Sequence, residues 1–521
     1  MSTWLPPLVI HHPRLPWVLD CSRMHIEPAA LDQLPWARVL SEMEALESGA
    51  VANPDEDRQV GHYWLRSPER APTMGQAREI GETTERLRHF AAKIRSGGTT
   101  ADDGSRFTDV IAVGIGGSAL GPQLLIDALA PKGATPQGGL QLHFIDNTDP
   151  DGVERTVRHL GPRLRSTLVL VVSKSGGTAE TRNGYKLVRQ ALEGAGIHAP
   201  SQLVAVTGVG SKLYKEADSE QWAAIFPMWD WVGGRTSVTS AVGLLPAELA
   251  GIDTTPLING AREMDEWTRT GDWRTNPAAL LAGVWHRTGG GTGERAMVVL
   301  PYNDRLLLMS RYLQQLVMES LGKRLDLAGN VVHQGISVYG NKGSTDQHAY
   351  VQQLRDGRND FFASFIQVFE DGIGQQTDLE DGATAGDFLQ GFLMGTRRAL
   401  DAADRPSLTM SIPRVDATSV GGLIALFERA VGLYASLVQI NAYHQPGVEA
   451  GKLAAAEVLE LARAVRGAIA SKPTTVAKIA KELGADPLEI FYVLEHLGGT
   501  GRAIRDGSGP DAVWRARRGS D

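Results

Sequence analysis

The chain has 521 residues, 42% of them hydrophobic, with 52 Lys and Arg against 60 Asp and Glu. That length allows two large domains or about three ordinary ones, and the apolar content supplies cores for them, so a disordered chain is excluded. The formal charge of −8 has the wrong sign for a general polyanion binder, and one cysteine, Cys21, excludes an internal disulfide and cysteine-based metal clusters.

The first residues are broken by Pro6, Pro7, Pro13 and Pro16, with His11, His12 and Arg14 among them, which is not the pattern of a secretory signal. No uninterrupted run of about 18 apolar residues predicts a membrane span, and a cytoplasmic setting is expected. Residues 1–99 read as an irregular to helical segment, with helices predicted at 34–49 and 78–95. Ser96-Gly97-Gly98 stops the second of these. From 100 to 250 the pattern becomes strand, glycine loop, helix. Apolar runs at 110–113, 140–145, 168–172 and 203–206 predict a parallel sheet covered on both faces. Residues 251–293 read as a connector with one helix at 256–266. A second strand–helix block follows over 294–465, with strands at 296–300, 331–338, 361–369 and 408–415 and helices at 305–321, 388–402 and 420–441. Residues 466–521 form a separate small helical tail. Within it two helical patterns around Gly484-Ala485-Asp486 have the form of a helix-turn-helix, with 498–504 as a wing. Its second helix carries Glu489 and Glu495 instead of a basic face, which points to a packing module and away from nucleic acid. The predicted fold is therefore α/β: two doubly wound domains with mainly parallel central sheets, plus the tail.

Six segments carry chemistry. Gly114-Ile115-Gly116-Gly117-Ser118 follows a strand and opens a helix, where bare N–H groups and the helix dipole favour an anion. The same segment reads as a dinucleotide loop through Ala119, and a tight turn alone also explains its glycines. Ser173-Lys174-Ser175-Gly176-Gly177-Thr178 places three hydroxyls and two glycines in one loop, more than a turn requires and suited to a phosphate. Gly233-Gly234-Arg235 offers a permanent cation beside a close-approach turn, as ligand contact or as an ordinary ion pair. On the helix at 305–321, Gln315 and Glu319 are four apart and share a face, with Glu319 either a solvated residue or a half-buried proton shuttle. The loop from Gly340 runs into a helix that Thr345 or Asp346 is placed to cap, with His348 in its first turn as a site imidazole or a surface one. Finally, Gln445-Pro446-Gly447 turns into a helix whose Lys452 sits where the dipole disfavours a cation, so a ligand contact or simple exposure must explain it.

Taken together and in this order, Gly116-Gly117-Ser118, Ser173 to Thr181, Gly233-Gly234-Arg235, Gln315 to Lys323, Gly343 to His348 and Gln445 to Lys452 resemble the glucose-6-phosphate isomerase family. The resemblance implies two sugar-isomerase (SIS) domains and a glucose 6-phosphate/fructose 6-phosphate interconversion through a cis-enediolate. It implies that Ser118, Ser173, Lys174, Ser175 and Thr178 hold the substrate phosphate, that Gln315 and Gln445 bind the sugar, and that Gly117 and Gly234 belong to the substrate-binding set. It further implies that Glu319 is the base, that Arg235 stabilises the enediolate, and that His348 and Lys452 serve ring opening. The partner subunit of a homodimer then receives His348. Neither a metal nor another cofactor is expected, and neither nucleic acid nor membrane is an expected partner. Gly176-Gly177, Leu321, Pro446 and Ala450 depart from the family's common residues and leave open a broader specificity that includes mannose 6-phosphate.

Two rivals remain at this stage. A noncatalytic sugar-phosphate sensor on the same scaffold would be expected to lose the Glu319–His348–Lys452 set, which is intact. An NAD(P)-dependent dehydrogenase needs an acidic residue about 20 positions beyond its glycine loop, but Asp146 lies farther on and the second hydroxyl loop would have no use.

Overall fold

The computed structural model describes residues 6–131, 136, 138–372 and 377–517, without the side chains of 448–450, 452, 453 and 471. Two bodies are present, Met1–His444 and Gln445–Asp521.

The first body contains the expected α/β architecture. Strands Asp109–Val113, Gln141–Ile145, Thr167–Ser173, Leu203–Thr207 and Ala224–Pro227 form a five-stranded parallel sheet. In space the second strand lies outermost, followed by the first, third, fourth and fifth. Every position of Thr167–Ser173 is buried, which is why that strand is an unbroken apolar run and not an alternating one. The strand order reverses between Asp109–Val113 and Thr167–Ser173, so the crevice beyond their carboxyl ends is the place where open α/β sheets bind ligands.

The second sheet repeats the scheme. Its parallel strands Ala296–Pro301, Val338–Tyr339, Phe361–Val368 and Ser407–Ile412 again run second, first, third, fourth in space. It is completed by Val18–Arg23, antiparallel to Ser407–Ile412, and by Val9–His11. These two strands lie in the segment expected to be irregular. Val9–His11 is the edge strand and Val18–Arg23 its inner neighbour, and their half-exposed residues and the prolines around them hide the strand pattern.

Three further expectations are corrected. The connector holds two helices, Thr254–Thr268 and Pro277–Thr288. The second was missed because it is buried nearly all round, which removes the amphipathic period. The run at 331–338 is split near Gly335: Val331–Gln334 pairs with Lys323–Leu325, and only Val338–Tyr339 joins the main sheet. The tail is not purely helical, for Thr474–Thr475, Val513–Ala516 and Ala503–Asp506 form a three-stranded sheet beside helices Val476–Leu483 and Pro487–Gly499. Its turn is as expected. Gly484 ends the first helix at φ +63°, and Asp486 caps the second by accepting from the Leu488 N–H at 3.0 Å.

One apolar cluster joins the two sheets through helices Ala241–Leu249, Thr254–Thr268 and Ala417–Leu437. Ala417–Leu437 is long and apolar enough to cross a bilayer, yet 94% of its apolar window is buried within the protein. It carries Glu428 and Arg429 into a buried ionic cluster. Arg66 lies 2.9 Å from Asp265 and 2.8 Å from Glu428, while Arg429 lies 3.4 Å from Asp265 and pairs with Glu47. Burial raises the Glu428 carboxyl to about 7. The cluster ties the N-terminal segment and the helix Thr254–Thr268 to this central helix.

Candidate active site

The two glycine loops leave the strands on either side of the first sheet's switch point. After Asp109–Val113 the chain makes a turn, Gly116–Ser118, and enters helix Leu120–Leu129. Gly116 has φ +59°, and a β-carbon there would stand 2.9 Å from Gln315 Nε2. A β-carbon on Gly117 would stand 1.9 Å from the Gly234 carbonyl oxygen. Only glycine permits that approach, and it brings the first and third motifs into backbone contact. Ser237 reinforces the contact with Oγ 2.8 Å from the Gly234 carbonyl and 3.4 Å from that of Gly117. The half-buried Ser118 lies in the same turn.

After Thr167–Ser173, the hydroxyl loop enters helix Ala179–Gly194 with Thr178 as N-cap residue. The Thr178 side chain makes no capping bond to the helix, and its Oγ1 lies 3.5 Å from Ser173 Oγ. Ser175 Oγ accepts the Gly177 N–H at 3.1 Å. The helix therefore presents unsatisfied N–H groups with a hydroxyl beside them, an arrangement suited to an anion. Lys174 does not add its ammonium to this loop. Nζ donates to the carbonyls of Asp230 at 2.9 Å and Val232 at 3.0 Å, and burial brings its pKa down to about 8. Its side chain pins the chain leading into Gly233, and only its backbone belongs to the loop.

Arg235 is 8% exposed. Nη1 donates to Ser320 Oγ at 2.8 Å and to the Ala442 carbonyl at 2.5 Å, and Nη2 donates to the His444 carbonyl at 3.0 Å. Nε faces Glu319 Oε2 at 3.4 Å. Burial lowers the Arg235 pKa, and Glu319 opposes that effect. Oε2 of Glu319 is itself buried and accepts no hydrogen bond, so the carboxylate meets a cation but retains an unused acceptor.

The helix carrying Glu319 is not the continuous α-helix expected over 305–321. It comprises Asp304–Leu306, Met309–Leu313 and a π-helical turn, Gln314–Glu319. Gln315 and Glu319 lie on that widened turn, where the spacing of four no longer means one full turn. Such turns interrupt α-helices where local geometry serves function. Gly322 ends the segment by donating to the Met318 carbonyl at 2.8 Å, and Lys323 returns over it, 5% exposed, with Nζ donating to the Glu319 carbonyl at 2.7 Å. Burial, with Arg235 nearby, lowers the Lys323 ammonium to about 7. Sequence reasoning gave Lys323 no role, because a lysine after a helix reads as solvated.

The remaining expected residues come from two other segments. His348 is exposed and ends the turn Thr345–His348. It precedes helix Val351–Asp356 instead of opening it, and neither Thr345 nor Asp346 caps that helix. Asp346 is turned inward, accepting from the N–H groups of Asn341 at 2.9 Å and Lys342 at 3.1 Å, and so closes its own loop. Gln445 and Lys452 belong to the second body. Gln445 is the exposed N-cap residue of helix Pro446–Ser471, and the Lys452 side chain lies outside the described residues.

Doubly wound sheets, a switch-point crevice edged by glycine and hydroxyl loops, and a half-buried carboxylate against a guanidinium define an α/β protein of the class that binds small ligands at its strand ends. The phosphoglucose isomerase family model matches residues 20–392 and 393–479, and the chain belongs to that family. It is 56% identical over 500 residues to a glucose-6-phosphate isomerase of Synechococcus elongatus, covering 95% of this chain and 94% of that protein. It is 54% identical over 499 residues to one of a Nostoc species, with the same coverage. Among solved structures, a glucose-6-phosphate isomerase from Chlamydia trachomatis superposes with a TM-score of 0.77 at 26% identity, covering 85% of this chain and 88% of that one.

Proposed function

We propose that the chain interconverts glucose 6-phosphate and fructose 6-phosphate. The observation that carries the reading is Glu319 Oε2, buried without a hydrogen bond and 3.4 Å from Arg235, whose turn packs Gly234 against Gly117. A base must have a free lone pair, and an enediolate must have a cation that stays charged when buried. Both are found here.

In the open-chain aldose, Glu319 takes the proton from C2. The electron pair forms the C1–C2 double bond, and negative charge grows on O1, where Arg235 stabilises it. The carboxylic acid returns the proton to C1. The O2–H bond breaks as C2 becomes the carbonyl carbon, and O1 gains a proton. One carboxylate serves both directions. The phosphate, bound by Ser118, Ser173, Ser175, Thr178 and the backbone of Gly117 and Lys174, contributes binding energy that holds C1 and C2 against the base. Gln315 and Gln445 bind sugar hydroxyls. Lys452 serves ring opening with the His348 supplied by a second copy, so the working form is a homodimer. The exposed turn bearing His348 suits donation to another subunit. We place the enzyme in the cytoplasm, in keeping with its lone buried thiol, Cys21.

The test is a coupled spectrophotometric assay of purified protein on fructose 6-phosphate, with parallel arms containing mannose 6-phosphate and EDTA. Turnover of fructose 6-phosphate unaffected by EDTA is expected, and its absence would end the reading.

A further inference from the structure

Lys323 is a buried ammonium with one hydrogen bond. An ammonium has three donors, and among the described residues only the Glu319 carbonyl accepts from it. Burying a lysine under such conditions is costly, and the cost falls at the end of the turn that carries the proposed base. The backbone explains how the side chain gets there. Gly322 doubles back so tightly that a β-carbon on it would stand 2.6 Å from the Met318 carbonyl oxygen. The next residue, paired with Gln334 in a short hairpin, then folds its side chain over the final turn.

The charges facing this ammonium come from three elements. Glu319 lies on the π-helical turn, Arg235 on the Gly234–Thr236 turn, and His444 beyond the end of the central helix. His444 is held toward the neutral form, chiefly by burial. With Lys323 protonated, two buried cations face the Glu319 carboxylate, while Glu56 also acts on Arg235 and Asp55 lies 3.7 Å from His444.

We propose that Lys323 is a positioning residue for the Glu319 base, fixing the end of the π-helical turn through the Glu319 carbonyl and, together with Arg235, setting positive charge beside the carboxylate. This rests on the reading of Glu319 as the base. Lys323 itself touches neither the sugar nor the transferred proton. Burial, with Arg235 nearby, brings the Lys323 pKa down to about 7, so its own charge changes near neutral pH.

The test compares wild type with Lys323→Met and Lys323→Arg. In Lys323→Met, kcat falls by at least about tenfold and KM changes little. The acidic limb of the kcat/KM profile moves to higher pH by about half a unit or more, the direction produced by removing a cation next to a carboxylate. Lys323→Arg restores the limb to its wild-type position. A second readout needs no turnover: the carboxylate infrared band that Glu319→Gln abolishes fades at higher pH in Lys323→Met than in wild type. An unmoved band overturns the proposal whatever happens to the rate, and so does a fall in kcat shared equally by the Met and Arg variants with the profile unchanged. Failure of wild type to isomerise fructose 6-phosphate overturns the functional reading instead, and the infrared comparison still decides the electrostatic one.

Discussion

Glu319→Gln removes the charge and keeps the shape. In wild type the carboxylate lies 3.4 Å from Arg235 Nε. At an effective dielectric near 20 that separation corresponds to about 5 kcal/mol of attraction. The cost of desolvating both charges offsets much of it. Arg235 also keeps its bonds to Ser320, Ala442 and His444 in the variant, so the site stays formed and the unfolding midpoint moves by only a few degrees. The chemistry loses far more. An amide cannot take the C2 proton, and general-base catalysis contributes roughly 10²–10⁴ in rate, or about 3–5 kcal/mol of barrier. The expected result is a fall in kcat of about 10³-fold or more. Affinity for a sugar phosphate, measured by calorimetry, should stay within about threefold, because no anion-binding group is altered and a negative charge is removed nearby. Nuclear magnetic resonance in deuterium oxide gives an independent check, since exchange at C1 and C2 should cease. Retained exchange, or loss of sugar-phosphate binding in a folded variant, would refute the assignment of the base.

Three further perturbations probe other levels of the structure. Gly117→Ala places a β-carbon 1.9 Å from the Gly234 carbonyl oxygen. Backbone on both sides must move, so calorimetry should show a loss of about 1–3 kcal/mol and the coupled assay a loss of activity out of proportion to it. Ser175→Ala combined with Thr178→Ala removes two hydroxyls that would bond a charged phosphate at roughly 1.5–3 kcal/mol each, so KM should rise about 10²-fold or more with kcat nearly unchanged. Arg66→Met leaves Asp265 and Glu428 as buried carboxylates short of a cation, at about 3–5 kcal/mol. The pH dependence of that loss follows from Glu428, whose pKa is raised from 4.5 to about 7 in the fold. A raised value means that the folded chain binds this proton more strongly than the unfolded one, so the group favours folding on the acid side and ceases to as pH rises through 7. Without Arg66 the deprotonated form is costlier still. The deficit measured by denaturant unfolding should therefore be larger at pH 8 than at pH 5.5.

The parallel sheets were legible because strands buried on both faces must be unbroken apolar runs, and Thr167–Ser173 is such a run. The glycine and hydroxyl loops were legible because a turn alone does not need three hydroxyls. Pattern reading fails where burial erases the pattern: helix Pro277–Thr288 is buried nearly all round, and strand Val18–Arg23, next to the edge strand Val9–His11, has mixed exposure. The π-helical turn at Gln314–Glu319 leaves no trace in a spacing rule that assumes 3.6 residues per turn. Lys174 stands in the loop, but its ammonium is held by the carbonyls of Asp230 and Val232, more than 50 residues away in sequence. No local signal specifies such a partner.

The same distance in sequence explains why Arg235 matters beyond its charge. It arises from the block that carries the proposed phosphate loops, yet it donates to Ser320, Ala442 and His444, all in the block that carries Glu319. It therefore fixes the position of the proposed base, while the approach of Gly117 to Gly234 fixes the first glycine loop relative to Arg235. A misplacement of about 1 Å between reacting groups can cost on the order of 10² in rate. Four donor–acceptor distances on one guanidinium are thus the structure's control on that error. Lysine at 235 would keep the charge but lose the planar fork that reaches Ser320 and two carbonyls at once, so charge alone cannot explain why this position holds an arginine.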